Sequence, residues 1–371
     1  MDARQEILTR VVETIRPSVR AGTAYDVGVT GEVAVKLNQN ECPFDLPEDL
    51  KRELVEAAFD TKFNRYPDEQ PEKLCRALAV ANDWDSDGVM VGNGSNELVF
   101  TLATALIAPK TPVLLPRPMF SFYGMVMRLF DASVHEVEAR ADLQFDTAGL
   151  RQMARRVNPA LVVLATPNNP TGLTVALGET ESIVAEAPGF VLVDEAYVEF
   201  SEEESARGLL EANPNLLLLR TFSKALGLAG LRIGYLMGHP GVVRELVKAR
   251  PPFMIDHLAQ TAALRMLENP ALVQGRVAHM KRETVRITEA LATLPGVDVV
   301  PSEANFVIFR PPTDTHLLMK QLADQGVLVR NMGGYRELQG YLRVCAGSER
   351  ENNAFLEAFH RLLGMETVLN V

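Results

Sequence analysis

Seven short strand-like runs, most of them apolar, punctuate the chain between residues 89 and 236, and helix-like segments separate most of them. The runs are Val89-Met90-Val91, Pro112-Val113-Leu114-Leu115-Pro116, 134–137, Leu161-Val162-Val163-Leu164-Ala165, Phe190-Val191-Leu192-Val193, Asn215-Leu216-Leu217-Leu218-Leu219 and 231–236. An apolar run of four or five residues without alternation is the mark of a strand buried on both faces. Helical spacing follows near 98–107, after Phe120, and over 146–156 and 175–187. Strands alternating with helices predict a mainly parallel sheet. Beyond about 240 the character changes. Two helices with apolar stripes are predicted near 256–268 and 271–293. Strands follow at 297–300, 305–309, 327–330 and 341–344, then a helix at 349–362. This reads as a smaller α+β unit. At the other end, Ile7, Leu8, Val11, Val12 and Ile15 have helical spacing over about 4–16, and Pro17 is expected to end that helix. The expected division is 1–40 as an N-terminal helix and arm, 41–255 as a large domain and 256–371 as a small C-terminal domain.

The bulk properties exclude more than they identify. A chain of 371 residues is long enough for two domains with a large core. A net charge of −11 argues against a non-specific nucleic-acid partner. Three widely spaced cysteines, Cys42, Cys75 and Cys345, suggest a reducing compartment rather than a disulfide framework or a zinc ribbon. No apolar run reaches the length of a membrane span, and the N-terminus lacks an apolar signal core, so a cytoplasmic protein is expected. The six histidines are scattered, and none stands at metal-ligand spacing, so no metal site is expected.

The ends of the strands carry the residues that matter. The stretch Thr221-Phe222-Ser223-Lys224 to Arg232 joins two apolar strands. A lysine there is flanked by core, and partial burial would lower its pKa and make it a usable amine nucleophile. The hydroxyls and Arg232 can hold a phosphate beside it, or the stretch is a surface turn with a stray lysine. Gly92-Asn93-Gly94-Ser95-Asn96 opens a helix directly after a strand, where free amides and the helix dipole favour an anion; many such loops are only turns. Phe120 at a strand-to-helix junction is placed to stack on a planar ring, or to fill core. Asn168 and Asn169 sit between prolines at the end of a buried strand, where open α/β sheets bind ligands. Asp194 ends another buried strand and needs a positive partner or strong hydrogen bonds. A pyridinium N–H would serve, as would a helix cap or a core ion pair. Asn40 and Tyr66, each beside a turn, read as substrate contacts or as ordinary loop residues. Arg330 and Arg343, flanked by apolar neighbours, are either anion ligands or edge-strand ion pairs.

Taken together, Asn169-Pro170-Thr171-Gly172, then Asp194-Glu195-Ala196-Tyr197, then Ser223-Lys224 and Arg232 resemble the fold-type I pyridoxal-phosphate aminotransferases. Asn38-Gln39-Asn40-Glu41-Cys42-Pro43-Phe44, Arg65-Tyr66-Pro67 and Leu342-Arg343-Val344-Cys345-Ala346-Gly347 look most like the histidinol-phosphate aminotransferases among them. The resemblance implies an α/β fold with a mainly parallel seven-stranded sheet in the large domain. It implies Lys224 as the Schiff-base lysine, Asp194 as partner of the pyridinium nitrogen, and Tyr197 and Asn169 on the ring oxygen. Gly94, Ser95, Asn96, Thr221, Ser223 and Arg232 would hold the cofactor phosphate, and Phe120 would stack on the ring. Tyr66 would reach the phosphate of a neighbouring subunit in a homodimer. Asn40, Tyr66, Asn169, Arg330 and Arg343 would face the substrate. Cofactor and partners would be pyridoxal 5′-phosphate, an amine donor such as histidinol phosphate, and 2-oxoglutarate. The sequence departs from the family pattern at Ser18, where a tyrosine is common and Tyr25 is the nearest one, at Cys42 in place of asparagine, and at Phe120 in place of a frequent tyrosine. Related chemistries stay open: a threonine-phosphate decarboxylase, an aromatic-amino-acid aminotransferase, or a cofactor-binding regulator without catalysis.

Overall fold

The computed structural model describes residues 3–24 and 33–364. Tyr25 lies outside the described residues. A two-residue strand, β1 (Val35–Lys36), precedes the main sheet. The seven runs become β2 (Val89–Asn93), β3 (Pro112–Pro116), β4 (Ser133–Val137), β5 (Leu161–Ala165), β6 (Phe190–Asp194), β7 (Leu216–Thr221) and β8 (Ile233–Gly238). They form one sheet in the order β2-β8-β7-β6-β5-β3-β4. The pairs from β4 to β7 are parallel, and β8 is antiparallel to both neighbours. The runs lack alternation because both faces are covered: every residue of β5 is buried, and Leu216 to Leu219 of β7 are almost fully so.

Parallel strands end together, and that shared edge positions the site. The C-terminal ends of β2, β3, β5, β6 and β7 lie on one edge of the sheet, and antiparallel β8 begins there. Glycine lets the first helix start close to that edge. A Cβ on Gly234 of β8 would stand 2.3 Å from the Ser95 amide, so only glycine leaves room for the helix Gly94–Leu106 to abut the sheet.

A second, four-stranded antiparallel sheet has the order β12-β13-β10-β9, from β9 (Asp298–Val300), β10 (Phe306–Arg310), β12 (Arg330–Asn331) and β13 (Leu342–Cys345). Helices Pro270–Ala292 and Glu349–Leu362 pack with it, the latter opened by a capping box of Ser348 and Glu351. Two expectations need correction. The run 327–330 is not one strand: β11 (Val327–Leu328) pairs parallel with β1, whereas Arg330 turns away to pair with β13. Pro17 does not end a continuous helix. The first helix is Ala3–Glu13, and Pro17 opens a separate turn, Pro17–Arg20, at the first helical position, where its missing N–H costs nothing.

Candidate active site

A cavity of about 810 Å³ lies against the shared strand edge and reaches β12 and β13. Of the residues singled out in the sequence, Asn40, Ser95, Asn96, Phe120, Asn169, Asp194, Tyr197, Thr221, Ser223, Lys224, Arg232, Arg330 and Arg343 all line it. Gly94 does not line it, but a Cβ there would stand 2.5 Å from the guanidinium of Arg232, which does. Tyr66 does not line this cavity; it is 79% exposed and stacks on Phe253 at 4.7 Å.

The inner end is built to hold an anion. Gly94 has φ +74° and starts its helix, so Ser95 and Asn96 present free amides at the positive end of the helix dipole. Arg232, itself left-handed at φ 53°, faces them across the turn. Its guanidinium donates to Ser223 Oγ at 3.4 Å and to the Ala229 carbonyl at 3.1 Å. Thr221 Oγ1 accepts from the Ser223 amide at 3.1 Å, which fixes the turn after β7.

In the middle stand an amine and a carboxylate. Lys224 Nζ donates to the Gln39 carbonyl at 3.1 Å and sits 5.8 Å from the centre of the Tyr197 ring. Burial first, then the charges of Arg343 and Arg232, pull its pKa down to about 8. Asp194 ends β6; its Oδ2 accepts from the Tyr123 hydroxyl at 2.7 Å and its Oδ1 from the Ala196 amide at 3.0 Å. Burial pushes its pKa up to about 6 against those two hydrogen bonds. Tyr197, held by burial at about 12, keeps its proton, and its hydroxyl accepts from Asn40 Nδ2 at 3.0 Å. Asn40 manages this from a left-handed backbone, φ 54°. Phe120 caps the helix Ser121–Leu129 at the cavity wall.

The outer end carries two arginines. Arg343 on β13 is buried and donates to Asn169 Oδ1 at 2.6 Å and to the Asn38 carbonyl at 3.1 Å. Its side chain lies over Phe306, 5.2 Å from the ring centre. Arg330 stands directly opposite Arg343 in the β12–β13 register.

Some participants were not read from the sequence. Tyr123 is one, although it follows Phe120 by three residues and so shares its helix face. The Gln39 carbonyl is another, and side-chain reasoning cannot see it. Glu195, beside Asp194, points the other way; it pairs with Arg220 at 2.7 Å in a buried cluster behind the sheet.

The residues present fit a phosphorylated aldehyde cofactor such as pyridoxal phosphate. An anion cradle, an amine with a lowered pKa and a buried carboxylate occur in one cavity. Asn38 Oδ1, Asn40 Oδ1 and Arg343 Nε are buried in its wall without a protein partner, as they would be if turned to a ligand. Among the described residues no cluster of ligating side chains could hold a metal ion, and no helix is long and apolar enough to cross a membrane.

Comparison with known proteins agrees with this reading. The family model for aminotransferase class I and II matches residues 32–359. A histidinol-phosphate aminotransferase of Chlorobium phaeovibrioides is 39% identical over 354 residues, covering 95% of this chain and 98% of its own. The structure of histidinol-phosphate aminotransferase from Sinorhizobium meliloti in complex with pyridoxal-5′-phosphate superposes with a TM-score of 0.86 at 23% identity, over 95% of this chain and 98% of that one. L-threonine-O-3-phosphate decarboxylase from Porphyromonas gingivalis gives a TM-score of 0.79 at 26% identity, over 89% and 99%. With the lysine, the aspartate and the anion cradle converging on one sheet edge and a family model spanning nearly the whole length, this chain belongs to the class I and II aminotransferases.

Proposed function

We propose that the protein transfers the amino group of L-histidinol phosphate to 2-oxoglutarate, using pyridoxal 5′-phosphate held in this cavity. The observation that carries the substrate reading is the pair Arg330 and Arg343, opposite each other on neighbouring strands at the cavity's outer end. Arg343 is buried with its Nε unpartnered, and a doubly charged phosphate or a carboxylate would satisfy it. Guanidinium geometry accepts both anions, so one pair can serve a phosphate-bearing amine and then a keto acid. Relatives named histidinol-phosphate aminotransferase, at 39% identity over nearly the full chain, support the same assignment.

Gly94, Ser95, Asn96, Thr221, Ser223 and Arg232 would hold the cofactor phosphate, Phe120 one face of its ring, and Asp194 its ring nitrogen. When bound, the cofactor supplies a carbonyl for an imine with the amine and a protonated ring that takes up an electron pair. The chain's own part is proton handling and orientation. Lys224 Nζ, unprotonated at mildly alkaline pH, takes the proton from the amine-bearing carbon and returns it as general acid. The Gln39 carbonyl holds that nitrogen in place between the two events. Asp194, as a carboxylate, keeps a proton on the ring nitrogen. Tyr197, oriented by Asn40, and Asn169, oriented by Arg343, donate toward the ring oxygen.

Three broader readings belong to the same proposal. The chain divides at about residues 40 and 255 into arm, large domain and small domain. It acts in the cytoplasm as a homodimer. Ile7, Leu8, Val11 and Val12 of the first helix, and separately Phe59, Phe63 and Tyr66, are exposed apolar side chains that a second copy would cover, bringing Tyr66 toward the neighbouring cavity.

The test is to mix cofactor-loaded protein with histidinol phosphate, without keto acid, and record the visible spectrum. Loss of the lysine-linked band with growth of the pyridoxamine band is expected, with no carbon dioxide released. An unchanged spectrum rejects this donor. Release of carbon dioxide from threonine phosphate would assign the chain to decarboxylation instead.

A further inference from the structure

We propose that Tyr123 is a positioning residue for the amino-group transfer: its hydroxyl fixes the Asp194 carboxylate and keeps it ionised toward the cofactor's ring nitrogen. The inference rests on the cofactor reading above and goes beyond it in naming what sets the state of the aspartate. Asp194 is gripped at both oxygens. Oδ1 accepts from the Ala196 amide at 3.0 Å, which belongs to the turn after β6 and holds the carboxylate's base. Oδ2 accepts from Tyr123 at 2.7 Å, a short contact of the kind formed by a hydroxyl and a charged oxygen. Tyr123 cannot swing away. It is 1% exposed, and its ring stands edge-on to Phe120, centroids 6.4 Å apart and planes at 86°. One side chain therefore joins the residue expected to stack on the ring to the residue expected to face its nitrogen. The geometry also decides where the proton sits. Burial and the adjacent carboxylate both hold the phenol well above its usual range, so Tyr123 donates and Asp194 accepts. That hydrogen bond opposes the burial that otherwise drives Asp194 toward its neutral form. A neutral Asp194 would no longer keep the ring nitrogen protonated, so the effect of Tyr123 runs through Asp194 and not through substrate binding.

The experiment compares wild type, Tyr123→Phe, Asp194→Asn and the double variant, each loaded with pyridoxal phosphate. Tyr123→Phe removes one oxygen and keeps the ring that packs on Phe120. Its kcat should fall about ten-fold or more, the range expected for a hydrogen bond to a charged group, with KM changed less than about two-fold. The pH midpoint of its lysine-linked absorbance should move toward that of Asp194→Asn. In the Asp194→Asn background the tyrosine substitution should cost less than about two-fold, because the carboxylate it acts on is gone. Replacing Tyr123 with 3-fluorotyrosine, a stronger donor, should move the absorbance midpoint the opposite way. A Tyr123→Phe enzyme with wild-type kcat and midpoint overturns the proposal, and so does an equal loss in both backgrounds. A wild-type protein that shows no lysine-linked band overturns the cofactor reading instead, so the two failures are distinguishable.

Discussion

Asp194 is a residue that the fold holds at a cost, and Asp194→Asn measures that cost in the cofactor-free protein. Burial places its carboxyl at about 6 against an ordinary 3.8. Because the folded value lies above the unfolded one, the native state binds more protons than the unfolded state between those limits. Stability therefore falls as pH rises from about 4 to about 6, and stays low above it. At about 1.4 kcal/mol per decade of proton affinity, ionising Asp194 opposes folding by an amount on the order of 3 kcal/mol at neutral pH. Asparagine occupies the same volume, accepts from the Ala196 amide and can donate to the Tyr123 oxygen, so it removes the charge without removing the packing. Apo Asp194→Asn should thus be more stable than wild type by about 2–3 kcal/mol at pH 7.5, read from urea unfolding monitored by circular dichroism. The difference should shrink as pH drops and vanish below about pH 3, where the wild-type residue is neutral in both states. Adding pyridoxal phosphate should narrow or invert the order, because only the wild-type carboxylate gains a charged partner. An apo variant equal to or weaker than wild type at pH 7.5, or a difference independent of pH, would refute the reasoning.

Three other substitutions probe separate parts of the site. Gly94→Ala puts a Cβ 2.5 Å from the Arg232 guanidinium at φ +74°. The left-handed backbone alone should cost about 1–2 kcal/mol of stability, and displacing Arg232 should weaken cofactor affinity by about ten-fold or more, checked by titrating the apoprotein with pyridoxal phosphate and following absorbance. Lys224, drawn down to about 8, should capture cofactor faster as pH rises toward 8 and reach a plateau above it. Removing the Arg343 charge with Arg343→Met should shift that plateau to higher pH in stopped-flow loading, and an unmoved midpoint would disconnect the two residues. Glu195→Ala leaves Arg220 without its carboxylate in a buried cluster, and should cost about 3–5 kcal/mol in chemical unfolding without changing the cofactor's absorbance.

The main sheet was legible because its central strands, buried on both faces, are apolar along most of their length. Leu161 to Ala165 and Leu216 to Leu219 have no alternative reading of similar quality. The strand-end residues followed, since a parallel sheet must bring its C-terminal ends to one edge. What escaped was set by distant partners. β1 is two residues long and carries no period; it exists because Val35 and Lys36 find Val327 and Leu328. The same pairing breaks the apolar run 327–330 in two and frees Arg330 to face Arg343, which local pattern cannot register. Tyr123 was hidden for another reason. On a helix that buries Phe122, Tyr123, Val126 and Met127, a tyrosine looks like core until the hydroxyl's partner is known.

The cavity gathers features that each work against folding. Lys224 is held below its ordinary pKa, Asp194 above its own, and Arg343 is buried with its Nε unpartnered. Asn40 and Arg232 add left-handed backbone. A chain selected for stability alone would relax every one of these, and single substitutions would suffice. Lys224 and Asp194 bring two such costs into one cavity, where a bound ligand would compensate them. On the proposed reading one ligand would answer both together, with an anionic group at the Arg232 end and a protonated ring nitrogen at Asp194. On the proposed reading a second anion, on the substrate, would satisfy Arg343. The proposed site would thus divide into a cofactor half and a substrate half, with Lys224 at the boundary between them. That position would let one amine anchor the cofactor at rest and act on the substrate's proton when displaced.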